Sequence, residues 1–308
     1  MDHFREYMAA EVALDHAAGQ ISRREAIRQM GVMGLSLTAA SAVLAACGKD
    51  KKEATTSGPS SQDPLATTTS GAPTLAPLTT TARPATTPVP TQEVTYPGPN
   101  GTLFGAYAPA ATRKGAVVVV HENRGLVDNI RAVASRLAGD GYSALAVDLL
   151  SEEGGTAKVA TNDVASSLTN AGPSRLRADV HASFDELAKR NPGAKLGLIG
   201  FCFGGTVVWD YVADGDARLA AAAPFYGTVA FNVSFDKNKA AVLGIYGETD
   251  SRVNATQGDA RAALDKTGVP HQINTYPGVG HGFYSDTGSP QSQAAYSAVL
   301  DWFDKYLK

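Results

Sequence analysis

A glycine-rich turn at residues 200–205 constrains the fold of this chain more than any other stretch. It reads G-F-C-F-G-G from Gly200 to Gly205. An apolar run at 196–199 precedes it and a helix-forming segment follows it, so the predicted local order is strand, turn, helix. A nucleophile flanked by glycines in that context stands at an exposed, strained tip. The pattern predicts a nucleophilic Cys202, although a small cysteine packed between a strand and a helix fits the same short motif.

The chain from residue 93 to residue 308 alternates strand-like and helix-like patterns. Apolar runs without polar alternation are typical of strands covered on both faces. We predict strands at 103–107, 116–120, 143–147, 196–199, 220–225, 241–246 and 271–276. Helical spacing occurs at 128–137, 176–189, 255–266 and 291–307. This alternation predicts one α/β domain at 93–308, with a mostly parallel central sheet and helices on both faces.

Three chemically reactive side chains follow predicted strands of this domain. Cys202 ends the strand at 196–199, Asp250 follows the strand at 241–246, and His281 follows the last strand. Because the carboxyl ends of parallel strands meet at one edge of a sheet, we expect these side chains to lie together. Nucleophile, acid, histidine is also the chain order of the α/β-hydrolase triad. The sequence therefore predicts an α/β-hydrolase fold with this triad.

The predicted chemistry is acyl transfer through the thiol. A cysteine with a pKa of about 8.5 is mostly neutral at neutral pH, so it needs a base. We expect His281 to take the proton while Asp250 fixes the imidazole tautomer. The backbone N–H groups of Phe203 and Asn123 are predicted to stabilise the oxyanion. His121 is an alternative base, although a histidine at a strand end is more often structural.

Three separated motifs resemble those of the dienelactone hydrolase family (carboxymethylenebutenolidases). They are V-V-V-V-H-E-N-R-G at 117–125, G-F-C-F-G-G at 200–205 and G-V-G-H-G-F at 278–283. The resemblance extends from about residue 93 to the C-terminus and implies a hydrolase of small lactones or esters. In that family a glutamate on the loop after the early strand contacts the cysteine and helps to activate it, and Glu122 matches this position. No metal or cofactor motif occurs in the sequence, so we expect neither.

One position departs from the family pattern. The family binds a substrate carboxylate with arginines, one of them four residues beyond the catalytic histidine, and this chain has Ser285 there. Arg124 lies on the loop that we expect to line the site and is the candidate replacement. We therefore predict that Arg124 and Ser285 bind substrate. Because a serine offers only a neutral hydrogen bond, we expect neutral or weakly polar substrates.

Residues 1–46 have the features of an export signal. Arg23 and Arg24 precede an uncharged run at 31–46, which at about 16 residues is short for a membrane span and typical of a signal peptide. Paired arginines resemble a twin-arginine signal, although Ala26 occupies a position that usually carries a large apolar residue. The L-A-A-C run ending at Cys47 resembles a lipoprotein box. We expect export and a lipid anchor on Cys47 that binds a membrane; a cleaved signal or an amphipathic helix is the alternative.

Residues 47–92 are rich in Thr, Pro and Ser, a composition that predicts a disordered linker. The chain has two cysteines, so lipidation of one leaves no partner for a disulfide at the other. A net charge of -3 gives no indication of nucleic-acid binding. Two other functions stay open from the sequence: a surface-tethered binding protein that keeps the fold without turnover, and a redox role for Cys202, for which no resolving cysteine exists.

Overall fold

The computed structural model describes residues 3–17, 21–47 and 86–308. The predicted linker falls largely on residues 48–85, which lie outside the described residues. The described residues belong to two compact units, divided between residues 72 and 73. Each unit is considered by itself below, and the predicted boundaries at residues 46 and 92 stay predictions.

The N-terminal unit consists of three helices over its described residues: α1 (His3–Ala17), α2 (Arg23–Val32) and α3 (Leu37–Cys47). Ser22 caps α2, because its hydroxyl accepts a hydrogen bond from the backbone N–H of Glu25 at 3.2 Å. The apolar run at 31–46 is divided between α2 and α3 by a turn at Gly34, where φ is 87°. Within the described parts of the chain, no helix is both long enough and apolar enough to cross a membrane.

The second unit contains an eight-stranded sheet with the order β1-β2-β4-β3-β5-β6-β7-β8. The strands are β1 (Gln92–Gly98), β2 (Gly101–Ala108), β3 (Gly115–Val120), β4 (Tyr142–Asp148), β5 (Leu196–Phe201), β6 (Leu219–Phe225), β7 (Ala241–Gly247) and β8 (His271–Tyr276). β1 and β2 run antiparallel to their neighbours, and every pair from β4 to β8 is parallel. The predicted mostly parallel α/β sheet is confirmed.

Helices pack against this sheet. They are α4 (Asp128–Gly139), α5 (Val164–Arg190), α6 (Phe203–Asp214), α7 (Ser251–Asn254), α8 (Gln257–Asp265) and α9 (Pro290–Tyr306). The helix expected at 255–266 is present as α8, whereas the single turn of α7 before it, which Asp250 caps, was not predicted. One sequence prediction of helix bounds was wrong. α5 begins well before residue 176 and is kinked at Gly172, where φ is 74°, directly before Pro173.

The centre of the sheet positions the loops that carry the predicted site. All residues of β3 and β5 are buried, and their register pairs Val120 with Gly200. The loop after β3 therefore lies beside the turn after β5. β6, β7 and β8 follow in order on the other side of β5, so their carboxyl ends lie along the same edge. This is the edge at which ligands bind in open parallel sheets.

Candidate active site

Cys202 occupies a strained turn between β5 and α6. Its φ is 55° and its ψ is −119°, a backbone conformation that L-residues rarely adopt. The turn is fixed from both sides, because the N–H of Cys202 donates to the carbonyl of Phe225 at 3.1 Å and its own carbonyl accepts from Thr206 at 3.1 Å. Strain held in place by the surrounding structure is typical of functional sites. The strained strand–turn–helix backbone predicted around Cys202 is present, and the nucleophilic role of the thiol stays a prediction.

The glycines around Cys202 are required by close backbone contacts. A Cβ atom on Gly200 would lie 2.4 Å from the carbonyl oxygen of Gly204. One on Gly204 would lie 2.5 Å from the carbonyl oxygen of Val120, and one on Gly205 would lie 2.3 Å from that of Phe225. Real Cβ atoms do not approach oxygen this closely, so any side chain would displace the elbow from its neighbours.

The thiol lies deeper than the sequence pattern indicated. Cys202 is only 5% exposed, so the expectation of an exposed tip was wrong. The elbow is flanked on one side by the loop after β3, whose carbonyls contact Gly204, and on the other by the end of β6, whose Phe225 carbonyl binds the Cys202 N–H. The motif specifies only the backbone of the turn. How deeply the thiol is buried depends on the elements that pack around the turn.

Asp250 and His281 form the expected acid–histidine pair. The Nδ1 atom of His281 lies 2.6 Å from Oδ2 of Asp250, which is 6% exposed. The other carboxylate oxygen, Oδ1, accepts a hydrogen bond from the N–H of Val253 at 3.4 Å and so caps α7. The carboxylate can only accept, so Nδ1 of His281 carries the proton. A ring nitrogen of His281 and the Sγ atom of Cys202 lie within 4.8 Å of each other.

The loops that carry this pair are joined through their main chains. The N–H of Thr249 donates to the carbonyl of Val279 at 3.0 Å, and the N–H of Gly278 donates to the carboxylate of Glu248 at 2.8 Å. A Cβ atom on Gly247 would lie 2.6 Å from the carbonyl oxygen of Gly280, so only glycine permits this approach. These contacts hold the acid and the histidine at a fixed separation.

Glu122 follows β3 and lies between two donors. The hydroxyl of Tyr226 donates to its Oε1 atom at 3.5 Å, and the side-chain amide of Asn129 donates to Oε2 at 3.5 Å. Tyr226, which follows β6, also packs its ring edge-on against His281, with centroids 5.0 Å apart. Glu122 thus shares a neighbour with the histidine.

His121 has a structural role in this arrangement. It is fully buried, its Nε2 atom accepts from the N–H of Leu149 at 3.0 Å, and its Nδ1 atom lies 2.7 Å from the carbonyl oxygen of Glu122. Because Nε2 accepts, Nδ1 carries the proton and donates to that carbonyl. Burial lowers the pKa of His121, which keeps the ring neutral. Both ring nitrogens are used to attach the Glu122 backbone to β4, so His121 is not the competing base.

A second brace supports the same loop from the end of β4. The hydroxyl of Thr156 accepts from the N–H of Leu126 at 2.8 Å and donates to the carboxylate of Asp148 at 2.8 Å. Asp148 also accepts from the backbone N–H of Thr156 at 2.7 Å. Gly125 allows the loop to turn here, since its φ is 80° and a Cβ would collide with the Thr156 side chain. The loop holding Glu122 and Asn123 is therefore anchored at both ends.

The backbone groups predicted for an oxyanion hole lie on adjacent segments. Phe203 is the first residue of α6, and Asn123 lies on the loop after β3. The two segments are in close contact, because a Cβ on Gly204 would lie 2.6 Å from the carbonyl oxygen of His121. This adjacency is compatible with two N–H groups that converge on one oxygen, and their role stays a prediction.

A pocket opens beside Glu122 between α4 and the loop after β8. It measures about 380 Å³ with its open mouth. Its lining residues are Glu122, Asn129, Ile130, Ala132, Val133, Arg136, Phe201, Tyr226, Tyr284, Ser285 and Thr287. The predicted residue Ser285 is among them, with its hydroxyl donating to the carbonyl of Gly282 at 2.8 Å. Arg124 is exposed and does not line this pocket, and the lining residues include Glu122 and Tyr226 but not Cys202 or His281.

Arg136 is a pocket residue that the sequence analysis missed. Its guanidinium lies 4.1 Å from the ring centroid of Tyr296 and donates to the hydroxyl of Tyr284 at 3.4 Å. No carboxylate of the described residues lies within 4 Å of it. A sequence signal did exist: Asn129, Val133 and Arg136 share one face of a helix, and that face meets the Glu122 loop.

The comparisons with known proteins agree with this geometry. The family model "Dienelactone hydrolase family" matches residues 104–307. A Salmonella typhimurium protein named "Putative carboxymethylenebutenolidase" is 31% identical over 210 residues, covering 62% of this chain and 77% of its own length. Its Escherichia coli K12 counterpart, which has the same name, is 31% identical over 211 residues, with 62% and 76% covered.

A solved structure gives the same result at the level of the fold. The crystal structure titled "Putative Dienelactone Hydrolase" from Klebsiella pneumoniae matches with a TM-score of 0.61 and 26% identity. The match covers 70% of this chain and 98% of that one. The uncovered part of this chain corresponds in length to the segment before the sheet. The chain belongs to the dienelactone hydrolase family, and its second unit has the α/β-hydrolase fold of these hydrolases.

Proposed function

We propose that this protein hydrolyses small carboxylic esters or lactones through an acyl-enzyme on Cys202. The observation that carries the proposal is the 2.6 Å contact between Asp250 and His281, with the histidine ring within 4.8 Å of a thiol on a strained elbow. Family membership supports the reaction class. This geometry supports the assignment of Cys202 as the nucleophile, His281 as the base and Asp250 as the group that orients the base.

The proposed reaction has two halves. In the first, the thiol proton moves to His281, the sulfur attacks the carbonyl carbon, and the alkoxide leaves with the proton from the imidazolium. In the second, His281 takes a proton from water, the hydroxide attacks the thioester, and the acid leaves as the thiol is restored. Asp250 stabilises the imidazolium in both halves without accepting its proton. The two half-reactions as written require no oxidant, reductant or metal ion.

Glu122 and the oxyanion donors complete the proposed machinery. The position of Glu122 beside the elbow supports the family role in which a glutamate assists ionisation of the cysteine. The backbone N–H groups of Phe203 and Asn123 would bind the oxyanion that forms in each half. The contact between their two segments supports this assignment.

We also propose that the preferred substrate carries a negative charge. The expectation of a neutral substrate rested on Ser285, and Arg136 removes its basis by placing a guanidinium in the same pocket. A guanidinium can bind both oxygens of a carboxylate, and such charge-assisted bonds are worth about 1.5–3 kcal/mol. Ser285, which lines the same pocket, would add one neutral hydrogen bond.

The test of the proposed function is a panel of activated aryl esters and small lactones. Cys202→Ala is expected to abolish turnover while circular dichroism shows an unchanged fold. Cys202→Ser should be much weaker than the wild type, because an alcohol needs a stronger base than a thiol. Alkylation of the wild-type thiol should give the same loss as the alanine variant. More than a few per cent of activity in Cys202→Ala would remove the proposal.

We propose, in addition, that the protein is exported and anchored to a membrane by lipid on Cys47. Support comes from the sequence: paired arginines, a short apolar run and an L-A-A-C box before the cysteine. Two or more acyl chains suffice for stable anchoring. The test is the mass of the mature protein from membranes. A lipid-modified Cys47 at the N-terminus is expected, and an intact Met1 would contradict the proposal.

A further inference from the structure

Tyr226 has an unusual backbone for an aromatic residue. Its φ is 37°, and among the described residues only Cys202, Tyr226 and Asn232 combine a side chain with a positive φ. Its N–H donates to the carbonyl of Ile245 at 2.7 Å, which ties it to β7. A buried aromatic residue held in this conformation is an outlier whose strain needs a compensating role.

The backbone around Tyr226 is pressed against the elbow. A Cβ atom on Gly227 would lie 2.2 Å from the carbonyl carbon of Gly205, so the two turns are in direct contact. Phe225, immediately before Tyr226, accepts the N–H of Cys202. The two strained residues, Cys202 and Tyr226, therefore lie on turns that contact each other. A shift of one turn would displace the other.

The side chain of Tyr226 touches the other reactive groups. It is 1% exposed, its hydroxyl donates to Oε1 of Glu122 at 3.5 Å, and its ring packs edge-on against His281 at 5.0 Å between centroids. The ring also packs against Phe283, with centroids 5.8 Å apart and 64° between the ring planes. A single rigid side chain thus contacts both the glutamate and the histidine beside the thiol.

The charges around the phenol keep it a hydrogen-bond donor. Burial raises its pKa well above the usual value, and the negative charges of Glu122 and Cys202 raise it further. Tyr284 also faces it, and His281 packs on its ring. The nearest cation of the pocket wall, Arg136, is engaged by Tyr284 and Tyr296. The hydroxyl therefore stays protonated and can donate to the Glu122 carboxylate.

We propose that Tyr226 is a positioning residue, which holds the Glu122 carboxylate by its hydroxyl and the His281 ring by its aromatic edge in register with Cys202. This inference rests on the proposed function. It assigns two separable tasks to one side chain. The hydroxyl stabilises the ionised form of Glu122, and the ring fixes the plane of the imidazole.

The two tasks predict different effects for two substitutions of Tyr226. Tyr226→Phe keeps the ring and removes the donor, so the pKa of Glu122 should rise. We expect kcat for an aryl ester to fall about tenfold, KM to change less than twofold, and the acid limb of the kcat/KM profile to move up by about one pH unit. Tyr226→Leu also removes the ring and should lose at least a further tenfold in kcat.

A second readout does not depend on turnover. The rate at which iodoacetamide alkylates Cys202 reports the thiolate fraction, and its pH dependence should move upward in Tyr226→Phe together with the kinetic profile. Tyr107→Phe is the matched control, because that buried phenol also makes a 3.5 Å hydrogen bond, to Asn191 at the C-terminal cap of α5. It should leave both pH profiles unchanged.

The outcomes separate the two proposals. Unchanged pH profiles for turnover and alkylation in Tyr226→Phe would overturn the positioning role, even if the variant were less stable or less active. An active Cys202→Ala enzyme would instead overturn the proposed function. If Tyr226→Phe folds poorly, the pH dependence of alkylation in its folded fraction tests the positioning role, because the alkylation rate is measured at Cys202 alone.

Discussion

The proposed preference for a charged substrate rests, at the residue scale, on the guanidinium of Arg136. It lies in the pocket beside Glu122, stacked on Tyr296. Stacking leaves the edge of the guanidinium able to bind an anion, and the aromatic face limits its rotamers, so less entropy is lost on binding. This is the physical reason to expect that a carboxylated ester binds better than its neutral analogue.

Arg136→Gln tests this expectation with a pair of substrates. For a lactone carboxylate, kcat/KM should fall tenfold or more, which corresponds to about 1.4 kcal/mol or more. For the methyl ester of the same lactone it should change less than threefold. Arg131→Gln is the control on the same helix, because Arg131 pairs with Glu93 away from the pocket. Equal losses for both substrates would show that Arg136 supports the fold rather than recognising charge.

Single residues differed in how far the sequence could place them. Cys202, Asp250 and His281 follow strands, and parallel strands bring their carboxyl ends together whatever the side-chain packing, so the pair at 2.6 Å could be anticipated. Arg136 lies on a helix, and which face meets a pocket depends on how that helix packs. Tyr226 required knowledge of a positive φ that nothing in its own residue type indicates.

The elbow is the element on which the site depends, and its glycines set a clear prediction. Gly204→Ala would place a Cβ 2.5 Å from the carbonyl oxygen of Val120 and should cost about 1–3 kcal/mol of folding free energy. Because the loop after β3 would be pushed away, activity should fall at least tenfold. Urea unfolding and ester kinetics measure the two effects.

Gly258→Ala is the matched control for this change. Gly258 lies in α8, and no atom would lie within 4 Å of its added Cβ. Alanine is better than glycine in a helix by up to about 1 kcal/mol, so this variant should be slightly more stable and fully active. A Gly204→Ala enzyme that behaved like Gly258→Ala would contradict the packing account of the elbow.

Elements were predicted well where their pattern was local. The buried strands from β3 to β7 are mostly apolar runs, β8 is the more polar H-Q-I-N-T-Y, and each was predicted within a few residues. β1 was not predicted, because Pro97 and alternating polar residues disguise an edge strand. The first half of α5 was missed because Gly172 and Pro173 are the usual signs of a helix end, whereas here the chain kinks and continues.

At the scale of the whole molecule, stability should depend on Asp179. This carboxylate is fully buried on α5, and burial raises its pKa to about 7 despite Arg175, whose Nε atom lies 3.6 Å away. The pKa in the folded state is thus above that in the unfolded state, so the folded protein holds the proton more tightly. The contribution of Asp179 to the free energy of unfolding is complete below about pH 4, and it is lost as the pH rises through 7.

Asp179→Asn removes this titration. The wild type should lose stability relative to the variant as the pH rises from about 4 to about 7, by about 1.4 kcal/mol for each unit of pKa difference as an upper bound. Thermal unfolding at intervals across that range measures the effect. Asp185→Asn, an exposed acid on the same helix, is the control. Parallel pH curves for the wild type and Asp179→Asn would contradict the assignment.

The eight-stranded sheet is what converts these local features into one site. Five loops, after β3, β5, β6, β7 and β8, supply Glu122, Cys202, Tyr226, Asp250 and His281 along one edge. Strand order could not be read from the sequence, but parallel pairing made the shared edge predictable. The burial of the thiol, the shape of the pocket and the aromatic contacts around His281 depend on how segments distant in sequence pack together. The sequence therefore could not predict them.

The central claim is that Cys202 carries the acyl group during turnover. The direct measurement is acid quenching of the enzyme within milliseconds of mixing with an activated aryl ester, followed by mass spectrometry of the peptide that contains Cys202. The account predicts that this peptide gains the mass of the acyl group and loses it at the rate of turnover. An unmodified Cys202 peptide throughout steady-state hydrolysis, with Cys202→Ala as active as the wild type, would contradict it.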